Sequence, residues 1–166
     1  MPVQLRPTTP DDLDFVIMAE NHPDNNRYIQ QWPREQHAAA LNDPNIAHSI
    51  IIHPDHAKPI GYTILIGLTS PHRCITLQRF VVMVKGRGYG RQTLERILHQ
   101  VFNKHQAHRF QLDVKDSNTR AQSLYQSLGF VVEGTLRDCI YTQWGFESFL
   151  IMSILEPEYR DRITLN

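Results

Sequence analysis

Between residues 85 and 91 the chain reads Lys-Gly-Arg-Gly-Tyr-Gly-Arg, with glycine at Gly86, Gly88 and Gly90. Glycine has no Cβ, so backbone N–H groups in such a turn can close on an anion. Lys85, Arg87 and Arg91 add full positive charge around the same turn. A phosphate or pyrophosphate is the natural guest; a solvated glycine-rich turn is the plainer alternative. Two phosphate signatures fail at one residue. Counted from Gly86, the P-loop G-x-x-x-x-G-K-[ST] and the dinucleotide fingerprint G-x-G-x-x-G both need a glycine where Arg91 stands. The histidines make no metal site. His53 and His56 fall in a predicted turn, and His99, His105 and His108 fall at a helix tail and its exit. None pairs with Cys or an acid at zinc spacing, so no metal is expected.

The elements around this turn follow from the pattern of apolar residues. Val3–Arg6 reads as a short strand. Thr9-Pro-Asp-Asp12 reads as a helix start, with Thr9 as N-cap and Pro10 at the first helical position. Leu13, Val16, Ile17 and Glu20 continue one helical stripe until Asn21-His-Pro-Asp24 breaks it. A second helical pair is expected from Tyr28, Ile29 and Trp32, with Pro33–Leu41 as its partner. The period then changes. Ala47–Ile52 and Ile60–Leu68 suggest a hairpin, and Cys74–Val84 a longer β-branched and aromatic strand. After the glycine turn, Leu94, Ile97, Leu98, Val101 and Phe102 make the clearest amphipathic helix. Phe110–Val114 reads as a strand. Ala121, Leu124, Tyr125 and Leu128 form a helical stripe ended by Gly129, and Phe130–Glu133 and Phe146–Ile154 close the chain as strands. This order predicts a mixed α/β layer with helices packed on a sheet.

The 166 residues suit a single domain, 1–166, with 41% hydrophobic and 20% charged residues, a folded rather than disordered composition. Lys+Arg and Asp+Glu are 17 each, so bulk charge gives no support to nucleic-acid binding. No apolar run has the length of a signal peptide or a membrane helix, and no membrane partner is expected. The two cysteines, Cys74 and Cys139, form no CxxC pair, and a reduced, cytoplasmic protein is the expectation.

The turn Lys85-Gly-Arg-Gly88-Tyr-Gly90 resembles the Q/R-x-x-G-x-G/A signature of the GNAT acyltransferase superfamily, with Lys85 replacing the usual Gln or Arg. The likeness continues downstream. Asn118-Thr-Arg-Ala-Gln-Ser-Leu-Tyr125-Gln-Ser-Leu-Gly129-Phe130 resembles that family's second signature. The run Glu133-Gly-Thr-Leu-Arg137 is similar to its ribosomal-protein N-acetyltransferase-like branch. Together these cover roughly Arg6 to Leu155. The resemblance implies a mixed, mostly antiparallel central sheet with helices on both faces. It also implies acetyl-CoA as cosubstrate and direct transfer of acetyl to a primary amine, from a small amine or a protein N-terminus. A non-catalytic acyl-CoA sensor of the same fold is the alternative, and a homodimer is compatible with either.

Residue roles follow from the same resemblance. The pyrophosphate would sit on the backbone N–H groups of Arg87 to Arg91, a segment that includes Tyr89, beside Lys85, Gly86 and Gly88. The pantetheine would pair like an added strand with Phe80, Val81 and Val82, which requires that strand to diverge from Phe110–Val114, commonly at a bulge. Asn118 would contact the pantetheine region or simply cap a helix. Tyr125 would protonate the departing thiolate, a phenol of pKa ~10 facing a thiol of ~8.5, or would only pack. Relatives carry a Glu on the central strand, but Ile75–Val84 holds no acid, and Thr76 and Gln78 occupy the region. Glu20 is the best acidic alternative as the amine base, with a surface Glu at a helix end as its plainer reading. A His remains open as an amine base that no motif places. Tyr28 and Trp32 could line the amine cleft or belong to the core.

Overall fold

Helix N-termini and prolines set the first third of the chain. The structure is a computed structural model that describes residues 2–165; the first and last positions of the expected 1–166 domain lie outside the described residues. After β1 (Gln4–Pro7), the backbone N–H of Thr9 donates to Asp12 Oδ2 at 2.8 Å, and Arg6 grips that carboxylate through both guanidinium ends. A short 3₁₀ turn, Pro10–Asp12, then leads into α1 (Leu13–Asn21). Pro23 lacks an N–H and ends α1, opening the single turn α2 (Pro23–Asn26). The expected helix through Tyr28, Ile29 and Trp32 does not form: residues 27–33 are an irregular connection. Pro33 disfavours the helical region for Trp32, and α3 (Arg34–Ala40) begins only beyond it.

Seven strands build one sheet: β1, β2 (Ile46–Ile52), β3 (Pro59–Ile66), β4 (Cys74–Val82), β5 (Arg109–Lys115), β6 (Val131–Thr142) and β7 (Gly145–Leu155). Their spatial order is β1-β2-β3-β4-β5-β7-β6. Every pairing is antiparallel except β4 with β5. This is the mostly antiparallel mixed sheet that the sequence led us to expect. β6 runs nine residues past the expected Glu133, to Thr142. It is an edge strand exposed along almost its whole length, so no apolar alternation marks it. After β7, residues 156–164 form α6 (Glu156–Thr164), whose Tyr159 stacks on Phe102 at 4.8 Å.

Helices cover both faces. On one face α4 (Tyr89–His99), its π-helical extension Gln100–Lys104, α5 (Thr119–Ser127) and α6 bury Leu94, Ile97, Phe102, Leu128 and Tyr159 against Phe110, Leu112, Met152 and Ile154. On the other, Val16 and Ala19 of α1 pack on Ile50, Tyr62, Ile64 and Val81. Each fully buried large apolar side chain contributes roughly 1.5–3 kcal/mol, so the two cores clamp β4 from both sides.

The decisive local feature lies on β4. Ile64 of β3 pairs with Arg79, but Leu65 pairs with Leu77, so Gln78 is the extra residue of a bulge. On its other edge β4 pairs with β5 only over Cys74–Thr76, opposite Arg109–Gln111. Beyond that point the two strands part, and their facing backbone edges open a cleft.

Candidate active site

The cleft has a volume of about 930 Å³ and is walled by both strands, the glycine turn, the start of α5 and the connection after α2. Of the residues expected to hold the cosubstrate, Phe80, Val81, Val82, Lys85, Gly86, Gly88, Tyr89, Gly90, Arg91, Asn118 and Tyr125 all line it. Arg87 does not; its side chain is exposed outside the lining.

The glycine turn shows why its sequence matters. Gly86 and Gly88 have φ of 74° and 78°, in the left-handed region that L side chains avoid. A Cβ built on either meets no atom within 4 Å, so the space beside both is open. Gly88 is the N-cap of α4 and has no side chain to accept from the helix. The first N–H groups of α4, from Tyr89 to Arg91, therefore present uncapped donors and the positive end of the helix dipole. Arg91 donates to Ser127 Oγ at 2.6 Å, which ties this turn to the end of α5. Lys85 Nζ donates to Asn25 Oδ1 at 2.9 Å, and burial, with Arg120 nearby, pushes its pKa down.

Asn118 is both cap and wall: its side chain accepts from the Ala121 N–H at 3.2 Å while the residue lines the cleft. About two helical turns further on, Tyr125 is 7% exposed, with its ring 5.6 Å from that of Phe130. Its hydroxyl has no hydrogen-bond partner among the described residues, and burial raises its pKa above the usual phenol value. The phenol therefore keeps its proton at the edge of the cleft.

The opposite face of the sheet holds different chemistry. Leu112 and Val114 of β5 point into the core beneath α4 and α5, so Asp113 between them projects to the α1 side. Asp113 lines the cleft together with Thr76, Gln78, Phe149 and the connection residues Tyr28, Ile29 and Gln30. Among the described residues the cleft walls carry two carboxylates, Asp24 and Asp113. Asp24 acts on Lys85 at the glycine end, whereas burial raises the pKa of Asp113. Asp113 is absent from the site residues expected from sequence; an acid alternating between the apolar strand residues Leu112 and Val114 was its available signal.

Neither Glu20 nor Trp32 lines the cleft: Trp32 packs against the core, the second of its two expected places, while Glu20 is placed differently from both of its readings. Glu20 is 1% exposed. One carboxylate oxygen accepts the Trp32 backbone N–H at 2.7 Å, and the other accepts from His37 Nε2 at 2.5 Å. His37 Nδ1 lies 3.1 Å from His48 Nε2, and His48 Nδ1 lies 2.8 Å from Thr8 Oγ1. Burial, reinforced by His37, pushes His48 down to about 4. Arg79 completes this buried group, 3.8 Å from Glu20 and 5.0 Å from the Trp32 ring centroid. The network fixes the connection that forms one rim of the cleft. Sequence periodicity put Glu20 on the inward stripe but carried no sign of its histidine partner.

No group of three or more potential metal ligands occurs among the described residues, and no described helix is long and apolar enough to cross a membrane.

This geometry can be set beside known proteins. Residues 13–130 match the acetyltransferase (GNAT) family model. The chain is 25% identical over 162 residues to a spermidine N(1)-acetyltransferase of Vibrio cholerae, covering 91% of each. It is 24% identical over 164 residues to the Escherichia coli K12 protein of the same name, covering 95% of this chain and 88% of that one. A solved structure of the Vibrio cholerae spermidine N-acetyltransferase in complex with CoA and spermine superposes with a TM-score of 0.86 at 23% identity, over 96% of this chain and 98% of that one. These relatives are spermidine acetyltransferases by name, and they do not confirm the likeness of Glu133–Arg137 to the ribosomal-protein branch. The family match spans both signature segments, and the parted strands, uncapped glycine turn and buried tyrosine lie within its reach: the chain belongs to the acetyltransferase (GNAT) family.

Proposed function

We propose that this chain is one catalytic unit that transfers the acetyl group of acetyl-CoA to the primary amine of a small molecule. The observation that carries this reading is the continuous cleft between β4 and β5, with phosphate-binding donors at one end and an acid and a phenol on its walls. The pantetheine would lie along the free edge of β4, and the pyrophosphate would be held by the N–H groups that open α4. The acceptor would enter from the α1 side, past Tyr28, Gln78 and Phe149.

The ammonium must lose a proton before it can attack. Asp113 is favoured for this step because it stands on the acceptor side with a raised pKa. Both oxygens of Glu20 are already engaged off the cleft wall, so its role becomes positioning, through Trp32. The amine nitrogen bonds to the thioester carbonyl carbon, and the oxyanion is held by a backbone N–H on the parted edge of β4. The C–S bond then breaks, the sulfur takes the Tyr125 proton, and the second proton of the attacking nitrogen leaves to solvent, from which the phenolate recovers its own. The products are an acetamide and CoA.

The names of the relatives support a small amine over a protein N-terminus. Both cysteines are free thiols, as suits the cytoplasm. Incubation with acetyl-CoA and a panel of amines and peptides, with products identified by mass, tests the reading. An N-acetylated small amine is expected; CoA binding without any acetylated product would leave the sensor reading standing.

A further inference from the structure

The acceptor end of the cleft carries little negative charge. Asp113 is its one carboxylate, since Asp24 belongs to the Lys85 end, and Arg79, which also lines the cleft, is a cation set 3.8 Å from Glu20. Two residues further along the same face of β5 stands Lys115, roughly 7 Å away by the rise of a strand. Lys115 is buried and donates to Glu147 Oε2 at 3.0 Å and to the Arg27 carbonyl at 2.8 Å. Arg27 donates through Nη1 to the other Glu147 oxygen, and Thr142 donates its hydroxyl to the same carboxylate at 2.8 Å. Burial alone would raise the pKa of Glu147, but these three donors outweigh it and hold the group at about 2. Its charge is thus fully committed.

Two cations share one carboxylate, so the group is left with one positive charge. That charge is available at Arg27, because its remaining guanidinium N–H groups have no hydrogen-bond partner among the described residues. The guanidinium lies 4.4 Å from the Trp144 ring centroid and 5.9 Å from that of Tyr28, a cleft residue. A second hollow of about 220 Å³, lined by Lys115 and Trp144, shares Ile29 and Gln30 with the main cleft; Arg27 lines neither, and its side chain stays 31% exposed beside Trp144. A polyamine anchored by one ammonium at Asp113 would push its next ammonium against this net positive group, with no free carboxylate to receive it. A carboxylate in the same place would find Arg27 over an aromatic floor.

Resting on the acetyl-transfer reading, we propose that the acceptor is an amine with a single ammonium whose far end carries a carboxylate, bound by Arg27 beside Trp144. The test is a matched series of equal chain length: δ-aminovalerate, pentylamine and cadaverine, with spermidine alongside. δ-Aminovalerate is expected to exceed pentylamine in kcat/KM by roughly tenfold or more, the scale of one hydrogen-bonded charge, with cadaverine and spermidine lowest. Arg27→Gln should collapse the preference for δ-aminovalerate over pentylamine, and Arg27→Lys should restore part of it. In the wild type, rising salt should shrink the same ratio, a readout that needs no variant. Cadaverine or spermidine leading the series would overturn the inference while leaving acetyl transfer intact. So would a ratio indifferent to both salt and Arg27→Gln. If CoA binds and no amine is acetylated, the acetyl-transfer reading falls and takes this inference with it.

Discussion

In the proposed reaction Tyr125 and Asp113 divide the proton work by where they stand. The phenol is buried on the α5 wall and keeps its proton, so it can serve a thiolate leaving on that side. Tyr125→Phe removes one oxygen and leaves the ring against Phe130. It should preserve CoA affinity and lower kcat by roughly 10²–10⁴-fold, the usual cost of losing a general acid; unchanged single-turnover rates would reduce Tyr125 to packing. Asp113 works only when ionised. Its raised pKa means that kcat/KM for the amine should fall with falling pH at values above the ordinary aspartate range. Asp113→Asn should abolish that acid limb, and its defect should narrow at high pH, where more amine arrives neutral. Superimposable pH profiles would remove Asp113 from the mechanism. Tyr125 was legible in the sequence because a motif of fixed spacing ends on Gly129-Phe130. Asp113 was not, because its meaning depends on β4 and β5 parting beside it, a tertiary event no local pattern records. Glu20 shows the converse: its stripe position was readable, while the His37 and Arg79 that absorb its charge come from distant segments.

At the scale of elements, the glycine turn is the part on which the proposed cosubstrate site depends. Gly88→Val places a branched side chain at a φ of 78° and on the open side where an anion would approach the α4 N-terminus. CoA affinity should fall at least tenfold while the circular dichroism of the folded protein persists; normal affinity, measured by calorimetric titration, would remove this turn from the binding site. The β6–β7 hairpin makes a separate, pH-dependent prediction. Glu147 is held at about 2 in the fold against an ordinary value of 4.5, so its ion pairs add stability above the ordinary value. That contribution is lost as pH falls through the folded value. The gap in urea midpoint between wild type and Glu147→Gln should therefore be widest above about pH 5 and close towards pH 2; a constant gap would mean that packing rather than charge sets it. Elements with strong periodicity, such as α4, were readable in advance. The long β6 was not, because an exposed edge strand has no face that must be apolar. The connection at 27–33 was misread as helix because three apolar side chains matched a helical period by chance, while Pro33 and the buried Glu20 carboxylate set its actual path.

Across the whole molecule, one break in one sheet brings the parts together. The bulge at Gln78 and the short β4–β5 ladder open the cleft, two helical layers hold the parted strands, and the residues that open α4 line the same cleft as Asp113 and Tyr125. The expected sheet with helices on both faces is present because hydrophobic patterning specifies layers well. The acceptor side was the least legible, since it is assembled from α2, β5 and the β6–β7 hairpin, which only the fold makes neighbours. The most direct test of this arrangement is the initial rate of thiol release from acetyl-CoA as amine concentration rises, in the wild type and in a variant carrying both Asp113→Asn and Tyr125→Phe. The wild type should show saturable, amine-dependent release, and the double variant should bind CoA with similar affinity yet release thiol at least 10²-fold more slowly. Equal amine-dependent rates in the two proteins would contradict the placement of the reaction in this cleft.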